Sequence, residues 1–228
     1  EDMGLFPDGS AEPPPREALQ DEHGTAISGF RRLTFWHLAL PLAVPSLVTT
    51  GLIFHQLAVV SERGLSSASG AQLFIPHAIA LASMSVVAGF LLDRFGPKVT
   101  FFWGVGLLLA AMFLLSAVES AMSAIVYSVL LGSSEGTTRV VNAAAWAHYF
   151  GRSNLALLQG SAVMVVITGT AIGPLPFAVL ANWLGGLSQA ALVMTILPLA
   201  ALVLVLFYRP PTSIAAKGAP HEGRVPLV

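Results

Sequence analysis

Six apolar runs alternate with short polar separators along most of the chain, over residues 33–60, 66–92, 99–118, 121–149, 155–181 and 184–208. Each reaches the ~20 residues that a helix needs to cross about 30 Å of hydrocarbon. The separators carry turn and charge signals: Glu62-Arg63-Gly64, the stretch 93–98, Glu119-Ser120, Gly151-Arg152-Ser153 and the stretch 182–189. Residues 153–208 run for 56 positions without one Asp, Glu, Lys, Arg or His. The pattern predicts an all-α polytopic membrane bundle of six transmembrane helices over residues 30–208. Residues 1–29 are acidic, contain Pro13-Pro14-Pro15 and show no period, which predicts a mostly disordered cytoplasmic linker. Residues 209–228 read as a polar cytoplasmic tail.

Composition sharpens this picture. The 228 residues are 55% hydrophobic and only 10% charged, with a mean hydropathy of +0.76. A soluble domain carries about 25% charged residues. The net charge of −1 comes with no basic tract to hold phosphates, so no nucleic-acid partner is expected. With no Cys and no His pair at i, i+4, neither a metal nor any other cofactor is implied. The sequence begins at Glu1 without a signal-peptide pattern and is expected to be a piece of a longer protein.

Basic residues give the orientation. With six spans both termini share a side, and that side holds Arg16, Arg31, Arg32, Arg94, Lys98, Arg152, Arg209, Lys217 and Arg224. The opposite side holds Arg63, while Arg139 lies within the fourth run. The positive-inside rule then predicts cytoplasmic termini. Pro41, Pro45, Pro76, Pro174, Pro176 and Pro198 each remove a helix hydrogen bond inside a run. Gly132/Gly136 and Gly169/Gly173 form small-xxx-small faces for close helix approach.

Between the second and third runs stands Gly89-Phe90-Leu91-Leu92-Asp93-Arg94-Phe95-Gly96-Pro97-Lys98, with Gly104 beyond it. This resembles the signature loop of the major facilitator superfamily. In the physical reading, Gly89 and Gly96 allow packing and a turn, and Asp93 accepts hydrogen bonds from a helix N-terminus. Arg94 and Lys98 anchor the loop to the cytoplasmic face. Residues 1–9, His148-Tyr149-Phe150-Gly151-Arg152, Gln159-Gly160 and the Gly169-to-Pro174 segment resemble the oxalate/formate-antiporter and monocarboxylate-transporter-like branch. The resemblance implies the C-terminal half of a twelve-helix secondary transporter, built as two inverted three-helix repeats. It implies transport of a small solute, with organic anions among the candidates, by alternating access in the plasma membrane. The partners implied are the lipid bilayer and an N-terminal six-helix half.

Four polar residues are candidates for a substrate or proton path. Glu135 and Arg139 stand at i, i+4 on the fourth run, and Asn142 continues that face at i+7. His77 lies near the middle of the second run. Intramembrane charges are costly and face the bundle interior or a wet cavity; for the pair and for His77 the alternative is helix packing alone. His55-Gln56 reads as interfacial. In the branch resembled, an Arg usually precedes the motif glycine by four residues, where this chain has Ser85, and the fifth run has no Lys. Arg139 is the candidate replacement cation. Gly132-Ser133-Ser134-Glu135-Gly136 matches G-x-S-x-G, but that pattern requires a strand-turn-helix context. An intramembrane serine protease would also need a His on the sixth run, which has none, so no enzyme is expected. A non-transporting membrane protein of structural or interaction type is the remaining alternative.

Overall fold

The computed structural model describes residues 33–150 and 155–208, and all of its regular structure is helical. The linker, the tail and Gly151-Arg152-Ser153 lie outside the described residues. The elements are α1 (Leu33–Glu62), α2 (Ser67–Gln72), α3 (Phe74–Ser116), α4 (Ala121–Phe150), α5 (Leu155–Ile172), α6 (Pro174–Leu184), α7 (Leu187–Met194) and α8 (Ile196–Phe207).

Proline explains most of the divisions. Helices break at single residues, Leu73, Gly173 and Thr195, each three positions before a proline (Pro76, Pro176 and Pro198). A proline cannot donate to the carbonyl four residues back, and those carbonyls belong to Gln72, Ile172 and Met194, the last helical residues before each break. Polar side chains bind carbonyls beside the breaks: Ser128 donates to Leu73 O, Thr195 to Leu192 O at 2.6 Å, and His55 Nε2 meets Pro174 O at 3.0 Å. Such local repair is what lets a broken helix persist in hydrocarbon. Pro41 and Pro45 interrupt nothing; both are buried within the continuous α1.

The six predicted spans do not each appear as one separate helix. Four helical stretches are long and apolar enough to cross a membrane: Leu33–Glu62, Gly70–Ser116, Leu155–Leu184 and Leu187–Phe207. The second contains both the second and third predicted runs. At the separator 93–98 two helices meet across a one-residue joint, where Gly96 alone departs from helical geometry at φ 78°, ψ 170°. That φ favours glycine, and Pro97 fits the first turn of the arm that follows. α4 is as long as α1, at 30 residues, but its many Ser and Thr with Glu135, Arg139 and Asn142 leave it less apolar.

Two apolar clusters make the core. One lies towards the Glu62 end and includes Leu52, Val59, Leu115, Tyr127, Leu131, Phe177 and Met194. The other lies towards the Lys98 end and includes Phe35, Phe101, Val105, Trp146, Leu158 and Val205. On α4 the first cluster stops at Leu131 and the second starts at Val141. The layer between them is polar. Outside, Phe90, Trp103, Trp183, Leu206 and Phe207 are exposed, as expected where lipid rather than water is the solvent.

Candidate functional site

The polar layer is built on a close pairing of α3 with α4. Ser128 bonds to Leu73, a Cβ at Gly132 would strike the His77 carbonyl, and one at Gly136 would strike the Leu81 carbonyl. The offset of 55 residues is constant between residues 73 and 81, so the first arm of α3 runs parallel to α4 and in register. The arm beyond Gly96 meets α4 through Gly104, beside Ser134, Thr137 and Thr138. The predicted Gly132/Gly136 face is therefore the seam between them. Gly173 likewise meets the Leu47 carbonyl of α1.

This seam brings three candidates together. His77 is the fourth residue of α3, and the register sets it level with the middle of α4. Its Nε2 lies 2.9 Å from Glu135 Oε2, while Arg139 Nη2 donates to Glu135 Oε1. The side chains differ sharply in exposure: 8% for His77, 13% for Glu135 and 65% for Arg139. His77 Nδ1 is buried and has no hydrogen-bond partner.

Glu135, Arg139 and Asn142 line a cavity of about 330 Å³, with Trp146 closing the same face of α4. α1 supplies Ser46, Thr49 and Thr50; the α5 wall includes Gln159 and Thr170. His77 is not a lining residue and touches the cavity only through Glu135. Thr49 Oγ1 and Trp146 Nε1 are buried without a partner. The α1 wall was readable as Ser46, Thr49 and Thr50 at i, i+3 and i+4. Trp146 carries the same signal, four residues after Asn142.

Other predicted positions have structural employment. Ser134, the would-be nucleophile of G-x-S-x-G, is buried and donates to Gly104 O at 2.7 Å. Gln56, expected to be interfacial, is buried and donates to Gly70 O at 3.2 Å. His55 bonds α6. Ser85 packs against Gly136 and donates to Leu81 O, which puts it level with the Arg139 turn of α4.

The signature segment divides. Lys98 does not simply face outward: its Nζ donates to Leu206 O at 2.8 Å, capping the C-terminus of α8. Arg94 lies 5.5 Å from the Phe95 ring centre. Asp93 is exposed and accepts no helix N-terminus among the described residues, and nothing lies within 4 Å of a Cβ at Gly89. At the opposite end, Glu62 does what Asp93 was expected to do. Its carboxylate accepts the Leu187 N–H at 3.0 and 3.1 Å and the Ser188 N–H at 3.4 Å. Arg63 Nε adds a bond to Ser188 Oγ at 3.2 Å.

Among the described residues, a helical bundle with an apolar exterior, broken helices and a cavity with polar lining at mid-helix defines a multi-pass membrane protein of the transporter class. The model of the Major Facilitator Superfamily matches residues 14–228, and the chain belongs to that family, whose members are transporters and not enzymes. No curated protein matches the chain.

Proposed function

We propose that the chain is the C-terminal half of a secondary transporter, and that the Glu135–Arg139–Asn142 face lines its solute path. Counting the two arms of α3 separately and α4 as a span gives six crossings, and the basic-residue asymmetry supports cytoplasmic termini in a plasma-membrane protein. An N-terminal six-helix half would close the cavity opposite α1, α4 and α5, with substrate held between the halves and released by rocking. The signature segment would then serve cycling, with Asp93 left for a contact beyond the described residues. Placement in the oxalate/formate-antiporter and monocarboxylate-transporter-like branch rests on the segments around His148 and Gly169. Arg139 would be the cation that replaces an Arg at position 85.

The observation that carries this reading is a charged pair facing a polar cavity inside an otherwise apolar bundle. Its test uses the absence of Cys. Asn142→Cys should react with a membrane-impermeant thiol reagent despite its mid-helix position, while Met164→Cys, exposed on α5 but outside the polar cavity, should not. An unreactive residue 142 would leave a packed bundle of structural type instead.

A further inference from the structure

A second cavity, of about 280 Å³, lies at the Glu62 end of the α3–α4 seam and shares no lining residue with the polar one. Its floor is buried: Val60 of α1, Leu73 at the break before α3, and Ala124 of α4. Its rim includes Ile75, Ile79 and Ile125, which are exposed on the apolar exterior. The mouth is therefore on the face where lipid is the solvent. A cavity of this size and lining suits one compact apolar body oriented by a few polar groups.

The fixed polar chemistry beside that floor accepts hydrogen bonds. Gln72 and Pro76 both line the cavity, and Pro76 has no N–H to give the Gln72 carbonyl four residues back. An acceptor left in that way in hydrocarbon costs free energy until a donor reaches it. The Gln72 amide, the one polar side chain of the lining, can turn either its oxygen or its nitrogen inward. Charge points the same way. Glu119 stands two residues before the lining Ala121, is exposed, and makes no ion pair among the described residues. The other two charges described at this end are engaged, Glu62 on the α7 N-terminus and Arg63 on Ser188. No basic side chain lines the cavity.

We propose that this cavity binds a small lipophilic ammonium ion, a compact hydrocarbon body with one cationic donor group, taken up from the bilayer. The body fills the floor between α1, the Leu73 break and α4. The ammonium donates to the Gln72 carbonyl and lies in the field of Glu119. A neutral hydroxyl offers the same donor without the charge assistance. A carboxylate brings no donor and meets a like charge. The site is distinct from the solute path and does not depend on that reading.

The test uses the whole chain in phosphatidylcholine nanodiscs with radiolabelled adamantan-1-amine, empty nanodiscs correcting for partition into lipid. Saturable binding of one amine per chain is expected. Adamantan-1-ol, with the same body, should compete roughly tenfold more weakly, and adamantane-1-carboxylate should not compete. Ala121→Leu and, independently, Ile79→Trp each fill the mouth from an exposed position and should abolish binding. Glu119→Gln should weaken the amine about two- to fivefold and leave the alcohol unchanged. Arg139→Gln, in the other cavity, should change nothing. The absence of saturable binding would overturn the proposal. So would binding that survives in whichever mouth variant folds, binding lost with Arg139, or competition by the carboxylate equal to that of the alcohol.

Discussion

α1 and the α5–α6 stretch are equally long, 30 residues each, and both are apolar enough to span a membrane. Their environments are opposite. In the most apolar window of α1, 56% of residues are buried in protein, against 11% for 155–184. α1 threads both core clusters, from Phe35 and Leu38 at one end to Val59 and Val60 at the other. α5 contributes only Leu158 and Ala162 as buried residues and exposes Met164 and Ile167. In water such an exterior would be driven inside; in hydrocarbon there is no such drive, and packing alone separates core from rim. Apolarity therefore marks where the chain crosses, and small residues with close backbone contacts mark where it is held.

That contrast can be broken most forcefully at two glycines. A Cβ at Gly51 of α1 would collide with the Phe177 ring and stand 2.9 Å from the Gly173 carbonyl, whereas one at Gly160 of α5 meets nothing within 4 Å. Gly51→Val should prevent a stable fold or cost several kcal/mol, about 3 or more, given rigid backbone on the far side. Gly160→Ala should be neutral or stabilise by up to about 1 kcal/mol through helix propensity. Reversible unfolding in mixed micelles reads both, and equal losses would erase the distinction.

Next in size is truncation of apolar side chains. Leu52→Ala, at 2% exposure on α1, should cost about 2–5 kcal/mol. Met164→Ala, at 72% exposure on α5, should stay within about 0.5 kcal/mol. Smaller than the losses at Gly51 and Leu52 is the effect expected at the clamp from α1 to α7. Glu62→Gln keeps the shape but removes the charge at a helix N-terminus, for a loss of about 0.5–1 kcal/mol. Faster amide exchange at Leu187 and Ser188 should accompany it, and unchanged exchange there would remove Glu62 from the role.

Sequence reasoning found what depends on local order. The apolar runs, the small-residue seam and the i, i+4, i+7 face of Glu135, Arg139 and Asn142 are properties of one helix and its period. The breaks at Leu73, Gly173 and Thr195 each stand three residues before a proline, but Pro41 and Pro45 break nothing, so a proline marks a candidate break and its packing decides the outcome. What was not legible depends on contacts between distant segments. His77 and Glu135 are 58 positions apart, and Lys98 and Leu206 are 108. Nothing local to Lys98 distinguishes a cap on α8 from an anchor in lipid headgroups. The separator at 93–98 does hold the break between two helices, but its three charged side chains (Asp93, Arg94 and Lys98) are compatible with helix, and only Gly96 departs from helical geometry.

The single-residue joint at Gly96 also fixes phase. Each residue in a helix turns the chain by about 100° and advances it by about 1.5 Å. Inserting one alanine between Gly96 and Pro97 would therefore rotate everything on one side of the joint relative to the other. Lys98 would swing away from the Leu206 carbonyl, or Phe101 and Val105 would leave the apolar cluster that holds Trp146 and Val205. A longer loop could absorb such an insertion as slack; a hinge of one residue has none to give. In an insertion scan this position should be as intolerant as a helix interior, although it lies between two arms and beside the exposed Phe95.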